Sequence, residues 1–313
     1  MGHDKIMNLW VFSVLLTQKV IQKLFGVSLP ICISNLKVPS NLCYIISTKR
    51  ALYLIKNGKL YSLFAGTVYG ATIKDERVIF YNESNTKGSI LSLCEDFKIQ
   101  KIHTLLKNLP SGIHQVDFIG EHLYCINTYN NSILVYDQYM NFVQEIFPNG
   151  KLSNGRSSTN YNHYNSIFKY NNTIYLVAHN ETVKTKRYSE IWKSFDNFEN
   201  VNIEITNASC AHNIYKDNEC RLICNSLEGE LLNNNRVVFK CDSFLRGLSV
   251  SHDQIVVGGS EYSKRRYRNL LGGFLYFLNK DFNYIMTIQI PGMVQDVCRL
   301  DCSDHTLSNC NVK

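Results

Sequence analysis

The sequence contains little proline and glycine, and it lacks the short motifs that mark common enzyme classes. Of its 313 residues, 5 are Pro and 17 are Gly, which excludes collagen-like and proline-rich chains. It has no G-x-S-x-G, P-loop, G-x-G-x-x-G or H-E-x-x-H motif, so the sequence does not by itself state a reaction. With 45% hydrophobic residues, the chain is too apolar to be disordered and long enough for a large core.

Charged residues are also few, at 19% of the chain. The 33 Lys and Arg exceed the 26 Asp and Glu by a net charge of +7. This mild excess permits an anionic ligand but does not favour nucleic acid as a partner.

The eleven cysteines include no C-x-x-C pair, so zinc-ligand spacing is absent. Most of them lie in apolar runs, where cysteine acts as a small buried hydrophobe. We therefore predict a reducing compartment and a cytoplasmic protein. A secreted protein is the alternative if residues 5–16 form a signal segment.

Apolar residues near the N-terminus follow a helical period. Leu9, Phe12, Leu16, Val20 and Leu24 fall near one face, which predicts a helix over about residues 8–25. The simplest interpretation is a helix packed on the main domain; a lid or a membrane-surface segment is the alternative. The apolar run is too short to span a bilayer, so no transmembrane segment is predicted.

From residue 40 onward, short alternating strands separated by turn residues replace the helical period. Residues 112–147 read as four strands, and similar units begin near residues 69, 163, 211 and 245. Four-stranded units that recur every 40 to 50 residues are typical of a β-propeller, because one such sheet cannot bury both faces alone.

The ends of the repeat region supply one more unit. Residues 293–300 resemble a lone inner strand, and residues 43–64 resemble three outer strands without an inner one. We therefore predict an all-β, six-bladed propeller of four-stranded blades, closed by pairing C-terminal and N-terminal strands, with an N-terminal helix. The predicted divisions are a helical segment at 1–36, the propeller at 37–301 and a tail at 302–313.

Aligning the repeats on their first hairpin brings several polar residues to the central channel. Tyr69, His114, Asn165 and His212 are predicted at one equivalent position, and Gly247 and either Gln295 or Asp296 complete the ring. His163 lies two residues before Asn165, so strand alternation gives it the same face, and Arg246 is adjacent in its own unit.

Three histidines on one axis suggest two chemistries. His114, His163 and His212 could hold a divalent metal ion through neutral nitrogens. Alternatively, His114 or His212 acts as a general base while Arg246 neutralises developing negative charge. A structural lining of the channel is the third interpretation. Asp117 and Asp217 are interpreted as turn residues.

Two long loops are predicted to border the channel mouth, at residues 179–188 and 260–269. They bring the candidate ligand-binding residues Arg187, Arg265, Arg266 and Tyr267, which suit an anionic or stacked ligand. A solvated charged loop is the equally simple alternative. Glu228, in a tight turn near the same mouth, is a further candidate carboxylate.

The stretch GIHQVDFIGEHLYCINTYNNSILVYD at 112–137 resembles the repeats of NHL-type propellers and streptogramin lyases. A wider pattern is similar to a bacterial propeller family of unknown function, sometimes fused to tetratricopeptide repeats. It includes His163-Tyr164-Asn165, Ala211-His212-Asn213, Leu245-Arg246-Gly247-Leu248 and Val257-Gly258-Gly259-Ser260. Streptogramin lyases use a channel histidine with a divalent cation, so this resemblance implies that His212 or His114 is the analogous residue.

These observations lead to one principal functional hypothesis. The protein is an enzyme, a lyase or hydrolase, that acts on a small anionic or glycosidic molecule in the axial pocket, with a divalent metal as its candidate cofactor. The alternatives are a non-catalytic module that binds a protein or glycan through its basic, tyrosine-bearing loops, and a lectin-like module.

Overall fold

In the computed structural model of the chain, residues 2–74, 77–83, 87–92, 100–101, 103–150, 161–263, 272–300 and 304–308 are described. A long helix precedes a series of short strands. The elements are α1 (Gly2–Phe25), β1 (Val27–Ser28), β2 (Ile31–Asn35), β3 (Tyr44–Thr48), β4 (Ala51–Lys56), β5 (Lys59–Ala65), β6 (Val68–Lys74), β7 (Arg77–Asn82), β8 (Lys87–Ser92), β9 (Gln100–Lys101), β10 (His103–Leu106), β11 (Ile113–Ile119), β12 (His122–Asn127), β13 (Ser132–Tyr136), β14 (Phe142–Ile146), β15 (Tyr164–Tyr170), β16 (Thr173–Ala178), α2 (Thr182–Thr185), β17 (Glu190–Ser194), β18 (Asn202–Ile205), β19 (His212–Lys216), β20 (Arg221–Asn225), β21 (Glu230–Asn233), β22 (Arg236–Lys240), β23 (Phe244–Val250), β24 (Ile255–Ser260), β25 (Gly272–Leu278), β26 (Tyr284–Pro291) and β27 (Val294–Arg299).

Within the described ranges, five sheets have four antiparallel strands each, so the predicted propeller of four-stranded blades is confirmed. From inner to outer strand they are β6-β7-β8-β10, β11-β12-β13-β14, β15-β16-β17-β18, β19-β20-β21-β22 and β23-β24-β25-β26. The predicted number of such blades, six, is wrong, because the described residues form five. The sheet that joins the chain ends, β27-β3-β4-β5-β2, has five strands.

The closing sheet pairs the two ends of the chain. Strand β27 runs antiparallel to β3, with Val294 opposite Thr48 and Arg299 opposite Tyr44, as the sequence predicted. The fifth strand of this sheet, β2, pairs with β5 and lies inside the segment 1–36 that the sequence assigned to the helix.

The core lies between neighbouring sheets. The inner strands β6, β11, β15, β19, β23 and β27 contact one another in this order around a closed ring. Between the closing sheet and the β6 blade, for example, Ile45, Leu54, Val68 and Phe80 are almost fully buried in one cluster. Strands with apolar side chains on both faces are therefore covered by a neighbouring sheet on each face.

Every inner strand has a β-bulge near its start, at the end facing the pocket described below. The pairing register shifts between Val68 and Ala71 in β6, between Ile113 and Val116 in β11, and at matching points in the other four strands. A bulge bends its strand and redirects a side chain. Because the bulge recurs in each inner strand, the side chain at that position is redirected in the same way all around the axis.

Helix α1 packs on the closing sheet by one face. Val11 and Val14 are buried there, and the amide of Gln18 donates to Leu29 O and Ser62 O at 2.7 and 3.1 Å. The helix therefore packs on the main domain, as predicted, but the face that carries Leu9, Phe12, Leu16, Val20 and Leu24 points away from the sheet and is exposed. No helix among the described residues is both long and apolar enough to cross a membrane.

The end of the channel opposite the pocket is covered by the segment Asp304–Ser308. Ser308 N donates to Asp117 Oδ2 at 3.1 Å, and His305 N donates to Val250 O at 2.6 Å. Since Asp117 and Val250 lie near the ends of their inner strands, part of the predicted tail belongs to the channel wall.

Candidate functional site

Bulges at the start of three inner strands direct Tyr69, His114 and Arg246 into one pocket. Each of these residues lies within the bulged step of β6, β11 or β23, and all three line the pocket. Because bulges are frequent next to functional sites, the predicted convergence of these side chains has a structural cause in the repeat.

Arg246 is held by groups from two other strands. Its Nη1 donates to Gln295 Oε1 at 2.6 Å, and its Nη2 donates to His114 Nδ1 at 3.2 Å. The guanidinium also lies 5.6 Å from the ring centroid of Tyr69, within the range of a cation–π interaction. The planar cation is thus fixed in orientation at the pocket wall.

His163 is positioned by the loop before β15. Its backbone is left-handed, with φ 54°, and its amide donates to the side-chain oxygen of Asn131 at 3.0 Å. Its Nδ1 lies 3.1 Å from the hydroxyl of Tyr161. A left-handed residue that is not glycine is strained, and the Asn131 side chain offsets this by holding the turn.

His212 is anchored by one ring nitrogen. Nδ1 lies 3.0 Å from Cys210 O and 2.8 Å from Ser226 Oγ. Because a carbonyl oxygen only accepts hydrogen bonds, Nδ1 carries the proton and Nε2 carries the lone pair. Within the described part of the chain, Nε2 has no hydrogen-bond partner.

His179 has the opposite tautomer. Its Nδ1 accepts a hydrogen bond from Glu181 N at 3.0 Å, so the proton of the neutral ring is on Nε2. His179 lies across the hairpin from His163, since its amide donates to His163 O at 3.3 Å.

A continuous row of aromatic rings surrounds the pocket. Ring centroids of neighbours are 5.1, 5.2, 4.6, 5.1, 5.5 and 6.2 Å apart along the row. In order, the rings are Tyr69, His114, His163, His179, His212, Phe244 and Tyr262. These contacts bring together residues from separate blades and from the loops between their strands.

Burial and positive charge keep two of these histidines neutral. Desolvation, followed by the charge of Arg246, lowers the pKa of His179 to about 3. The same two causes lower the pKa of His212 well below its usual value. At neutral pH the pocket therefore combines uncharged imidazoles with a guanidinium cation.

The pocket has a volume of about 460 Å³, a size that suits a small molecule. Its lining combines the four histidines with aromatic, cationic and acidic side chains. The remaining lining residues are Lys49, Tyr69, Tyr129, Glu181, Val183, Lys184, Cys210, Leu227, Phe244, Arg246, Glu261, Tyr262, Ser263 and Met293.

The structure brings five predicted site residues together in this pocket. They are Tyr69, His114, His163, His212 and Arg246. The roles assigned to them remain predictions.

Four other predicted residues lie outside the pocket lining. Asn165 is the bulged residue of β15, and its amide donates to Ala211 O at 2.7 Å. Asp296 is buried beneath the pocket, where it accepts from Asn213 Nδ2 at 3.3 Å. Glu228 is exposed on its turn, and Arg187 forms an ion pair of 2.8 Å with Glu190.

Arg265, Arg266 and Tyr267 lie outside the described residues. In the other basic loop, Lys184 pairs with Glu181 at 2.8 Å, beside the pair of Arg187 and Glu190. The charges of Lys184 and Arg187 at the rim are therefore compensated, while Lys186 donates to Val183 O and not to a carboxylate. Arg246 and Lys49 supply positive charge inside the pocket.

The predicted metal ligands do not form a coordination site. Within the described ranges, no group of three or more His, Cys, Asp or Glu side chains is placed to hold a metal ion. The Nδ1 of His114 faces Arg246, and a guanidinium beside His114 disfavours a nearby cation. The donor set therefore does not fit the divalent cofactor.

The repeat pattern does not reveal His179, Tyr129 and Lys49 as pocket residues. In the sequence, His179 is the first residue of a basic loop, although cross-strand pairing with His163 is a signal that could have found it. Lys49 follows β3 of the closing sheet, and its ammonium lies 5.7 Å from the ring centroid of Tyr69. His179 and Lys49 both lie at hairpin ends, where a bulge shifts the pairing register of the strands by one residue.

Three solved structures resemble this fold at low sequence identity. A chain in a nidogen–laminin complex has a TM-score of 0.60 and 10% identity, covering 82% of this chain and 98% of that one. A streptogramin B lyase has a TM-score of 0.52 and 10% identity, covering 84% and 88%. A functionally unknown protein from Desulfotomaculum acetoxidans DSM 771 has a TM-score of 0.50 and 10% identity, covering 83% and 99%.

No protein-family model matches the sequence, and no curated protein matches it. The predicted resemblance to streptogramin-lyase-like propellers is confirmed for the fold, while the comparisons show neither the bacterial family nor its fusion to tetratricopeptide repeats. At such identities the likeness concerns the fold alone. The comparisons therefore show that the chain has the β-propeller fold.

Proposed function

We propose that the axial pocket binds a small anionic molecule and that the protein is an enzyme acting on it. One observation carries this proposal. Arg246 shares the pocket with His179 and His212, and both imidazoles are neutral because of burial and of its charge. A carboxylate, phosphate or sulfate group would relieve that unfavourable positive potential.

Arg246 is the anion-binding group of this proposal. Gln295 and His114 orient its guanidinium by hydrogen bonds, and such a fixed fork suits paired oxygens. Lys49, on the closing sheet, adds a second cation in the pocket lining.

His212 is the general base. Its Nδ1–H is held by Cys210 O, which leaves the lone pair on Nε2. An anion bound to Arg246 would raise the pKa of His212 toward the range where imidazole is an effective base. His212 would take a proton from a carbon of the ligand in a lyase, or from water in a hydrolase, while Arg246 stabilises the developing negative charge.

The aromatic row supports a glycosidic ligand. Tyr69, Tyr129, Phe244 and Tyr262 line the same pocket, and flat aromatic faces pack against sugar rings. A small sugar acid or sugar ester combines both features, with the ring against tyrosine and the acid on Arg246.

The test uses a panel of sugar acids, sugar phosphates and sulfate esters, with binding measured by calorimetry and turnover by mass spectrometry. Arg246→Gln should weaken binding about tenfold or more, because a charge-assisted hydrogen bond is lost. His212→Asn keeps a donor for Cys210 O, so it should retain binding and lose turnover. Equal affinity of wild type and Arg246→Gln for every bound compound would overturn the proposal.

The pH dependence of binding gives an independent prediction, with sulfate as the probe. His179 has a pKa of about 3 in the free protein, and a unit charge about 4.5 Å away raises it by roughly 2 to 3 units at an effective dielectric near 20. Binding then takes up protons, so the affinity for sulfate should rise as pH falls from 7 to 5. Calorimetry in two buffers of different ionisation enthalpy measures this uptake directly.

His179→Asn tests the assignment of that proton. The asparagine oxygen can still accept from Glu181 N, but the side chain does not titrate, so proton uptake should decrease. His122 is exposed at the far end of its blade, and His122→Asn should leave the uptake unchanged. An affinity that is flat with pH, or uptake unchanged in His179→Asn, would contradict this prediction.

A second candidate function is binding without catalysis. It is supported by Val183, Tyr188 and Tyr262, which are about half exposed on or beside the rim of the pocket. Such side chains would contact a protein or glycan that covers the mouth. Tight binding of a panel compound with no turnover by the wild type would favour this candidate.

A further inference from the structure

The outward face of α1 presents a row of large apolar side chains to solvent. They are spaced three or four residues apart, so they form one stripe along the helix. The stripe consists of Leu9, Phe12, Leu16, Val20 and Leu24, with exposed fractions of 70, 66, 54, 50 and 68%.

This stripe does not contribute to the core. Val11, Val14 and Gln18 on the opposite face contact the closing sheet and are buried. The helix is therefore apolar on two sides, whereas a surface helix normally has a polar outer face. A contiguous exposed apolar stripe of this kind is typical of an interaction surface.

The charge around the stripe indicates what covers it. Residues 2–74 contain nine Lys and Arg and a single acidic residue, Asp4, while the rest of the chain has 24 basic and 25 acidic residues. The net positive charge of the protein thus comes from its N-terminal part, which forms α1 and strands β1–β6. On the helix itself, Lys19 and Lys23 are exposed beside the stripe.

We propose that α1 docks the propeller on an anionic lipid surface. The apolar stripe would enter the boundary between headgroups and acyl chains, and the lysines would contact anionic headgroups. A helix lying in this interface needs no membrane-spanning length. Nine basic residues against the single carboxylate of Asp4 in residues 2–74 favour an anionic lipid surface over a protein partner of mixed charge.

Trp10 provides a spectroscopic test. It lies beside the stripe and is 55% exposed, whereas the other tryptophan, Trp192, is 3% exposed in the blade formed by β15–β18. Vesicles of phosphatidylcholine and phosphatidylserine, at about three to one, should shift the emission of the intact protein to shorter wavelength. Trp10→Phe should abolish the shift while binding persists in a flotation assay.

The stripe variant is Leu16→Gln combined with Val20→Gln. Both side chains point away from the core, so thermal unfolding should be unchanged, while vesicle affinity falls about tenfold or more. The matched control is Ile203→Gln with Ile205→Gln on the outer strand β18, where both residues are also exposed. That control should bind vesicles as the wild type does.

The charge variant is Lys19→Gln combined with Lys23→Gln, with the exposed Lys107→Gln as its control. Vesicle binding should weaken only in the first and should decrease with added salt. Absence of wild-type binding, or equal loss in the control variants, would overturn the proposal. A dimer in light scattering that Leu16→Gln with Val20→Gln dissociates would show instead that a second copy covers the stripe.

Discussion

Replacing Gly229 by alanine is expected to destabilise the protein by about 4 kcal/mol. The backbone at Gly229 is left-handed, with φ +66°, which costs an L-residue about 1–2 kcal/mol. A β-carbon here would also overlap the carbonyl oxygen of Cys241 and lie 2.9 Å from Ser243 O. Both atoms belong to the backbone, so relief requires moving the chain, which adds about 1–3 kcal/mol.

Gly120 is the matched control, because it has nearly the same backbone conformation without the crowding. Its φ is +62°, and a β-carbon added there would meet no atom within 4 Å. Gly120→Ala should therefore cost only about 1 kcal/mol. Urea unfolding of both variants separates the two contributions, and equal losses would refute the role of the Cys241 contact.

The turn at Gly229 also bears on the pocket. Leu227, two residues earlier, lines the pocket, and its backbone oxygen accepts from the hydroxyl of Tyr262. A shift of the chain at Gly229 would move this wall, so Gly229→Ala should weaken ligand binding as well as stability.

Strand positions were predictable because the alternation and the turn residues repeat. The hairpin at residues 112–127 and the closure of β27 onto β3 follow from pattern alone. Convergence of His114, His212 and Arg246 was predictable for the same reason, since equivalent positions of a repeat face one axis. Local pattern therefore determined both the blade and its inner end.

The predictions for individual side chains fail where a one-residue shift in strand pairing, or a contact with a residue distant in sequence, determines where the side chain lies. The bulge of β15 turns Asn165 to Ala211 O, and no composition rule marks a bulge. Asp117, predicted to be a turn residue, is buried, with Thr72 and Ser308 as hydrogen-bond partners. Both outcomes depend on neighbours far away in sequence.

The helix α1 shows the same limit of local pattern. Its helical period was visible in the sequence, but the sequence contains two apolar faces and does not state which one contacts the sheet. The amide of Gln18 is bonded to Leu29 O and Ser62 O, so a polar residue marks the buried face and the apolar stripe faces out.

Asp296→Asn is expected to stabilise the protein at pH 8 by about 4 kcal/mol and to have little effect near pH 4. The pKa of Asp296 is raised from its usual 3.8 to about 7, mainly by burial and also by the charges of Asp304 and Asp117, against the hydrogen bond from Val297 N and the charge of Arg246. Each pKa unit corresponds to about 1.4 kcal/mol. The asparagine oxygen can still accept from Asn213 and from Val297 N.

The direction of the pH dependence of stability follows from proton binding by Asp296. Between about pH 4 and 7 the native Asp296 holds a proton that the unfolded chain has lost. Its contribution to stability is therefore complete below pH 4 and is lost as pH rises through 7. Asparagine does not titrate, so the difference between variant and wild type should grow over this interval and level off above it.

Asp217 supplies a control of opposite sign. Burial raises its pKa, but hydrogen bonds from Cys220, Tyr215 and Glu219 together outweigh this effect and lower it. Stability from Asp217 is therefore present above its unfolded pKa and is lost on acidification, so Asp217→Asn should be harmful at pH 8 and nearly neutral at low pH. Urea unfolding from about pH 2 to 8 compares the two, because the contribution of Asp217 is lost only below the usual aspartate pKa of 3.8. Parallel curves for Asp296→Asn and wild type would mean that the channel carboxylate is ionised throughout, and the charge beneath Arg246 would then oppose anion binding in the pocket above.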